Sequence, residues 1–189
     1  MYQEIERYLR KRTSVTDEEF KQIISKFQFI KTARNQILCS ETQVSKHFYF
    51  INKGCLRLYG NNSEGNEVTA FFALEESFMT AATSFITQKP SRDYLVSMEP
   101  SELLVIKRND FFELIERIPE FNKVYLQFIE FGFIHSQMRI YSLLGMSAKD
   151  RLIWVLEHEQ KLLDRISAKA VASYLGMTSS TLSKLRAKL

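Results

Sequence analysis

The feature that most constrains the fold is a change of hydrophobic period near residue 108, from extended to helical. Between residues 27 and 107, short runs rich in aromatic and β-branched residues alternate with turn signals such as Asn52-Lys53-Gly54. The runs cover residues 27–31, 36–40, 47–52, 55–59, 68–74, 94–98 and 103–107. Many short strands at this spacing predict a small antiparallel barrel or sandwich.

Helical patterns flank this region, so the predicted fold class is α+β. Residues 2–26 have helical spacing, and Thr16 with Glu19 forms a capping box that predicts a helix start near Asp17. A short helix is predicted at residues 78–86, inside the barrel region. Helical periodicity returns at residues 109–118.

The stretch from 119 to 144 predicts one long helix. Pro119 suits a first helical position, and beyond it the stretch has no proline and a single glycine, Gly132. Apolar side chains at alternating spacings of three and four predict a dimerisation seam formed by Phe121, Val124, Phe128, Phe131, His135 and Met138. We expect a homodimer that Phe128→Asp dissociates; the alternative is a helix buried wholly within a monomer.

Composition and charge narrow the class of protein. Two cysteines, Cys39 and Cys55, are too few for a disulfide framework, and no apolar run is long enough to cross a membrane. We therefore expect a cytoplasmic protein without a cofactor or a metal. Residues 149–189 hold 8 basic and 4 acidic side chains and carry the whole net charge of +4, which favours a polyanionic partner.

The C-terminal segment predicts a helix-turn-helix. A helix over residues 167–175, a tight turn at Gly176 and a second helix capped by Thr178 are the pattern of this motif. Ala172 and Leu182 have the spacing at which the two helices pack closely. The predicted DNA contacts are Lys169, Thr178, Ser179, Ser180, Thr181, Ser183, Lys184 and Arg186. The alternative is a structural helical hairpin.

The whole sequence resembles the Crp–Fnr family of bacterial transcription regulators, most closely its short members common in the Bacteroidetes. Residues 48–57, 102–106 and 171–183 carry the resemblance. The resemblance implies an N-terminal jelly-roll barrel of the cyclic-nucleotide-binding type at 1–118, a dimerisation helix at 119–145 and a helix-turn-helix domain at 146–189.

The sequence departs from family members that bind cyclic AMP. The glutamate that holds the ribose falls at Ala81, and the arginine that pairs with the cyclic phosphate falls at Ser91, one residue before Arg92. We therefore expect no tight cyclic-nucleotide binding. The resemblance places the effector pocket at Phe72, Phe78, Met79, Thr80, Ala81, Arg92 and Tyr94. We expect this pocket either to hold a more apolar ligand or to be vestigial. The isolated histidines His47, His135 and His158 are expected to be structural or exposed residues.

The resulting hypothesis is a homodimeric DNA-binding transcription regulator with a degenerate sensor domain. Its expected partners are double-stranded DNA, a second copy, RNA polymerase and a small-molecule effector other than cyclic AMP. The alternative is a ligand-binding or protein-interaction module whose C-terminal helices do not bind DNA. An enzyme is not expected, because the sequence has no phosphate loop, metal-ligand spacing or nucleophile elbow.

Overall fold

The computed structural model of the protein describes residues 1–158 and 160–188, without the side chains of residues 158, 160 and 161. The prediction for His158 therefore lies outside the described side chains, as residues 159 and 189 lie outside the described chain. Two helices open the chain, α1 (Gln3–Arg12) and α2 (Asp17–Ser25). The predicted capping box starts α2: Thr16 accepts from the Glu19 amide, and Glu19 accepts from the Thr16 amide.

The middle of the chain forms two four-stranded sheets. The strands are β1 (Gln28–Thr32), β2 (Ile37–Cys39), β3 (His47–Lys53), β4 (Leu56–Asn61), β5 (Glu67–Ala73), β6 (Phe78–Met79), β7 (Asp93–Ser97) and β8 (Ser101–Lys107). One sheet has the order β1-β8-β3-β6 and the other β2-β7-β4-β5. The pairs β1–β8, β3–β8, β3–β6 and β2–β7 are antiparallel. The predicted α+β class is confirmed.

The short helix within the barrel region differs from its predicted bounds. It is α3, Ala82–Thr87, and the preceding Phe78 and Met79 form the two-residue strand β6. These two residues pair with Phe50 and Tyr49 of β3. The helix starts later than predicted because the Phe78 ring stacks on Phe48, with 5.0 Å between centroids, and this holds the segment extended against the core.

Helices follow the barrel to the end of the described chain. They are α4 (Arg108–Arg117), α5 (Pro119–Gly145), α6 (Ala148–His158), α7 (Gln160–Leu163), α8 (Ala168–Tyr174) and α9 (Ser179–Arg186). None of the helices that the structure describes is long and apolar enough to cross a membrane.

The chain divides into two compact units. The first comprises residues 1–58 and 72–131, and the second residues 59–71 and 132–189. In the first unit, one face of β3 and β8 packs against the flanking helices in an aromatic core. Phe48 is central to this core: its ring contacts those of Phe85, Phe111 and Phe128 at 4.4–5.5 Å between centroids.

Candidate functional site

The segment predicted to be a helix-turn-helix consists of α8, a turn and α9. Ser167 caps α8 by accepting from the Ala170 amide, and Thr178 caps α9 by accepting from the Thr181 amide. Gly176 lies between the caps with φ of 64°, the left-handed conformation that the turn requires. The helices pack through small and branched side chains that are all nearly inaccessible: Val171, Ala172, Leu175 and Leu182.

The side chains predicted to contact DNA lie on the exposed surface of this motif. Ser179, Ser180, Ser183, Lys184 and Arg186 are exposed. The Thr178 hydroxyl is engaged with the hydroxyls of Ser180 and Thr181 at 3.0 and 2.9 Å, in addition to its capping bond. The three hydroxyls therefore hold one another at the start of α9, with Lys184 one turn further along the helix.

Lys169 on α8, also predicted to contact DNA, lies next to a hairpin. The hairpin comprises residues 59–71, which belong to the same compact unit as α8. The Lys169 ammonium lies 3.8 Å from a Glu67 carboxylate oxygen. Next to it, the Ser173 hydroxyl donates to the Glu67 carbonyl at 2.9 Å and accepts from the Thr69 amide at 2.8 Å. The face of α8 that carries Lys169 and Ser173 is thus bound to the hairpin by hydrogen bonds and one ion pair.

Arg139 of α5 contacts both the hairpin and α8. Its guanidinium donates to the Tyr174 carbonyl at 2.6 Å and to the Thr69 carbonyl at 2.7 Å, and it lies 4.6 Å from the centroid of the Tyr174 ring. Burial lowers the pKa of Arg139, and a nearby cation, Arg151, lowers it further. Two buried backbone carbonyls thus compensate part of the cost of desolvating this cation.

His135 lies one turn before Arg139 and has a structural role. Its ring lies 4.4 Å from that of Phe71 between centroids, and its Nε2 atom is 3.3 Å from the Tyr174 hydroxyl. Burial, followed by the charge of Arg139, lowers the pKa of His135. The imidazole is therefore kept neutral where α5, β5 and α8 meet.

The structure corrects two residues of the predicted dimer seam. Phe121 and Val124 are 0% exposed, because they complete the aromatic core of the first unit, and so neither can contact a second copy. Phe128 packs partly into the same core, edge to face with Phe48 at 4.8 Å. Phe128→Asp would therefore destabilise the protomer itself, which makes it unsuitable as a test of dimerisation.

The residues of the predicted effector pocket occupy several different environments. Phe78 is buried in the aromatic core against the flanking helices, and Met79 is also buried. Arg92 is exposed, and the Tyr94 hydroxyl donates to Glu41 at 3.3 Å. Thr80 donates to the His47 carbonyl at 2.8 Å. A cavity of about 410 Å³ lies instead beside β2 and β3, and none of the predicted pocket residues lines it.

Comparison with known proteins agrees with this architecture. Residues 29–118 match the family profile described as the cyclic nucleotide-binding domain. FixK2 of Bradyrhizobium japonicum superposes with a TM-score of 0.73 at 16% identity, over 86% of this chain and 84% of that one. CLP, the c-di-GMP-responsive global regulator of Xanthomonas campestris, gives 0.75 at 12% identity, over 92% and 91%.

A third structure is similar over most of its length. A protein of Eubacterium rectale assigned to the Crp/Fnr family of transcriptional regulators superposes with a TM-score of 0.73 at 14% identity, over 90% of this chain and 82% of that one. The chain has the fold of these Crp/Fnr proteins, and its residues 29–118 match the cyclic nucleotide-binding domain. No curated protein matches it in sequence.

The residues at the nucleotide-binding positions of this Crp/Fnr fold do not suit a cyclic nucleotide. Ala81 is 1% exposed and has no polar side chain. Ser91 is 6% exposed, and its hydroxyl is occupied within the loop, donating to the Asp93 carbonyl at 2.9 Å and accepting from the Asp93 amide at 3.0 Å. Neither the carboxylate for a ribose nor the cation for a phosphate is present at these two positions.

Sequence reasoning missed the residues that bind α8 to the hairpin at residues 59–71. Glu67, Thr69 and Ser173 carry no local signal, because their partners are more than 100 residues away. Arg139 could have been noticed: it is an isolated cation on a helix that is otherwise largely apolar, and such a cation needs acceptors when it is buried.

Proposed function

We propose that this protein is a homodimeric, sequence-specific DNA-binding transcription regulator whose sensor domain no longer recognises cyclic nucleotides. Its parts are an effector domain at 1–118, a dimerisation helix at 119–145 and a DNA-binding domain at 146–189. The observation that carries the proposal is the start of α9, where exposed hydroxyl and basic side chains follow a helix-turn-helix turn. RNA polymerase is a further partner of this proposed regulator.

The chemistry of α9 suits a DNA major groove. The N-terminal part of the second helix of such a motif contacts base edges, and serine hydroxyls can bond to any base edge or phosphate. Lys184 adds a cation that reaches a guanine edge or a phosphate. No acidic residue follows Asp164 in the sequence, so nothing in this part of the chain repels a phosphate backbone.

The dimerisation part of the proposal rests on one of the apolar stripes that α5 exposes. Leu126, Ile129, Phe133, Ile140 and Leu143 are all exposed apolar residues. With Ser136 they follow alternating steps of three and four residues, the spacing of a coiled-coil seam. A two-fold copy of the same helix presents the matching stripe, which makes a second copy the natural occupant.

The experiment begins with selection of bound duplexes from a random DNA library by the purified protein. Binding of the selected duplex is then measured at several salt concentrations for wild type, Lys184→Ala and Lys21→Ala. We expect Lys184→Ala to weaken specific binding by at least about 1 kcal/mol, the value of one good contact. Lys21→Ala is the matched control, because it removes the same charge from the exposed surface of α2.

Two outcomes would contradict the proposal. Failure to select any duplex would favour the ligand-binding or protein-interaction module. Unchanged affinity in Lys184→Ala, together with loss of binding in Lys21→Ala, would place the DNA surface elsewhere. Lys169→Ala gives a further check: as a phosphate contact, it should weaken binding to all sequences alike and flatten the salt dependence.

A further inference from the structure

The cavity beside β2 and β3 has the size and lining of a small-molecule site. Its volume of about 410 Å³ lies within the range of ligand pockets in proteins. Leu38 and Val44 provide apolar wall, and Tyr49, His47 and Lys46 provide polar groups. All of these residues belong to the first compact unit, so the cavity is formed within that unit alone.

The Tyr49 side chain contributes a hydrogen-bonding group to the wall of this cavity. Tyr49 is 4% exposed and lines the cavity. The ring nearest to it in the cavity wall is that of His47, at 6.1 Å between centroids. A ligand that brings an acceptor can take the hydrogen bond of this hydroxyl in place of water. Burial also raises the pKa of Tyr49, so the hydroxyl remains a donor at neutral pH.

The charge around the cavity is positive. Lys46 lines it, and Lys107 of β8 lies opposite His47 in the sheet register. Burial lowers the pKa of His47, and the charges of both lysines lower it further. Of the described residues that line the cavity, none is acidic. Asp93 acts electrostatically on the Cys39 thiol without lining the cavity.

We propose that this cavity binds a small carboxylic acid with a short apolar or aromatic body. The carboxylate accepts from the Tyr49 hydroxyl and faces the Lys46 ammonium, while the body packs against Leu38 and Val44. This site differs from the effector pocket implied by the family resemblance. Its role as an effector site rests on the proposed regulatory function, whereas binding itself does not.

The test is calorimetric titration of the full chain without DNA. Benzoate is the probe, benzamide is its neutral counterpart of the same shape, and inorganic phosphate is the anion without an apolar body. We expect benzoate to bind about tenfold more tightly than either, as one charge-assisted hydrogen bond would give. Tyr49→Phe and Lys46→Gln should each weaken benzoate binding about tenfold. Tyr141→Phe, which removes an exposed hydroxyl outside the cavity, should leave it unchanged.

Several results would overturn the assignment. These are no binding of benzoate at millimolar concentration, equal affinity for benzamide or phosphate, or equal weakening by Tyr141→Phe and Tyr49→Phe. Lys46→Gln alters an exposed side chain, so it keeps the test decisive even if Tyr49→Phe fails to fold. Failure of the DNA experiment would leave a positive titration intact, so this inference and the proposed function can fail separately.

Discussion

At the scale of single residues, we expect two small side chains to exclude the ligand for which the domain family is named. The family resemblance places at Ala81 and Ser91 the glutamate and the arginine of cyclic-AMP-binding relatives, and both residues are buried. A cyclic phosphate placed there would lose its hydration without gaining a cation.

We therefore expect cyclic AMP and cyclic GMP to bind more weakly than micromolar, measured by calorimetry on the full chain. Circular dichroism on the same sample should show the folded protein, so that a null result reports on the site. A submicromolar dissociation constant would contradict this expectation and would show that Arg92 or another cation reaches the phosphate.

At the scale of secondary-structure elements, His135 makes the packing of α5, β5 and α8 sensitive to pH. Because the pKa of His135 is lowered in the folded protein, its contribution to stability is fully present above the ordinary histidine pKa of about 6.5. That contribution is lost as the pH falls through the lower folded-state pKa. The charged group facing it is Arg139, which opposes protonation further.

The measurement is the thermal midpoint at pH 8 and pH 5.5 for wild type and His135→Phe. We expect the wild type to lose more stability on acidification, since phenylalanine can pack against Phe71 without taking up a proton. His47 also has a lowered pKa, but it titrates in both proteins and cancels in the comparison. An equal loss in the two proteins would show that His135 is not the titrating group.

The hairpin is a second element with an expected effect on DNA binding. Glu67 holds a carboxylate 3.8 Å from the Lys169 ammonium, so it competes with a DNA phosphate for that cation. We expect Glu67→Gln to raise the affinity for duplex DNA at low salt several-fold, with the gain fading as salt rises. Fluorescence anisotropy on the selected duplex measures both the gain in affinity and its dependence on salt.

Glu64→Gln is the matched control for the hairpin. Glu64 belongs to the same hairpin turn, where it accepts from the Asn66 side-chain amide at 3.2 Å, so its substitution removes the same charge. If both variants raise affinity equally, the cause is the general charge of the hairpin and the ion pair with Lys169 has no specific role.

At the scale of the whole molecule, the assembly depends on which side of α5 remains uncovered. Phe133 is 64% exposed within the apolar stripe, whereas Met138 is 54% exposed and lies about 140° around the helix from Phe133. We expect Phe133→Glu to dissociate the dimer and Met138→Glu to leave it intact, because only the first buries a carboxylate at the two-fold interface.

Size-exclusion chromatography with light scattering at micromolar concentration distinguishes these states. A monomeric wild type would remove the basis for a dimer. Dissociation by Met138→Glu alone would restore the seam predicted from the sequence, of which Phe131 and Met138 are exposed members.

The sequence by itself determined the features whose interacting partners lie within a few residues of one another. The Thr16–Glu19 capping box, the left-handed Gly176 and the Thr178 cap all have their partners within about one turn of the chain. The change from extended to helical period likewise defined the α+β class, because strand and helix patterns are read over a few residues.

Only the tertiary structure decided which faces of the helices are buried and which distant residues contact one another. Phe121 and Phe133 look alike in a helix that is apolar on every side, but one is 0% and the other 64% exposed. The difference comes from Phe27 and Phe111, which pack against Phe121 from other elements. The bond between Ser173 and Thr69 and the cavity beside Tyr49 were undetectable for the same reason. Such contacts depend on how strands and helices far apart in sequence are brought together, and no local pattern encodes them.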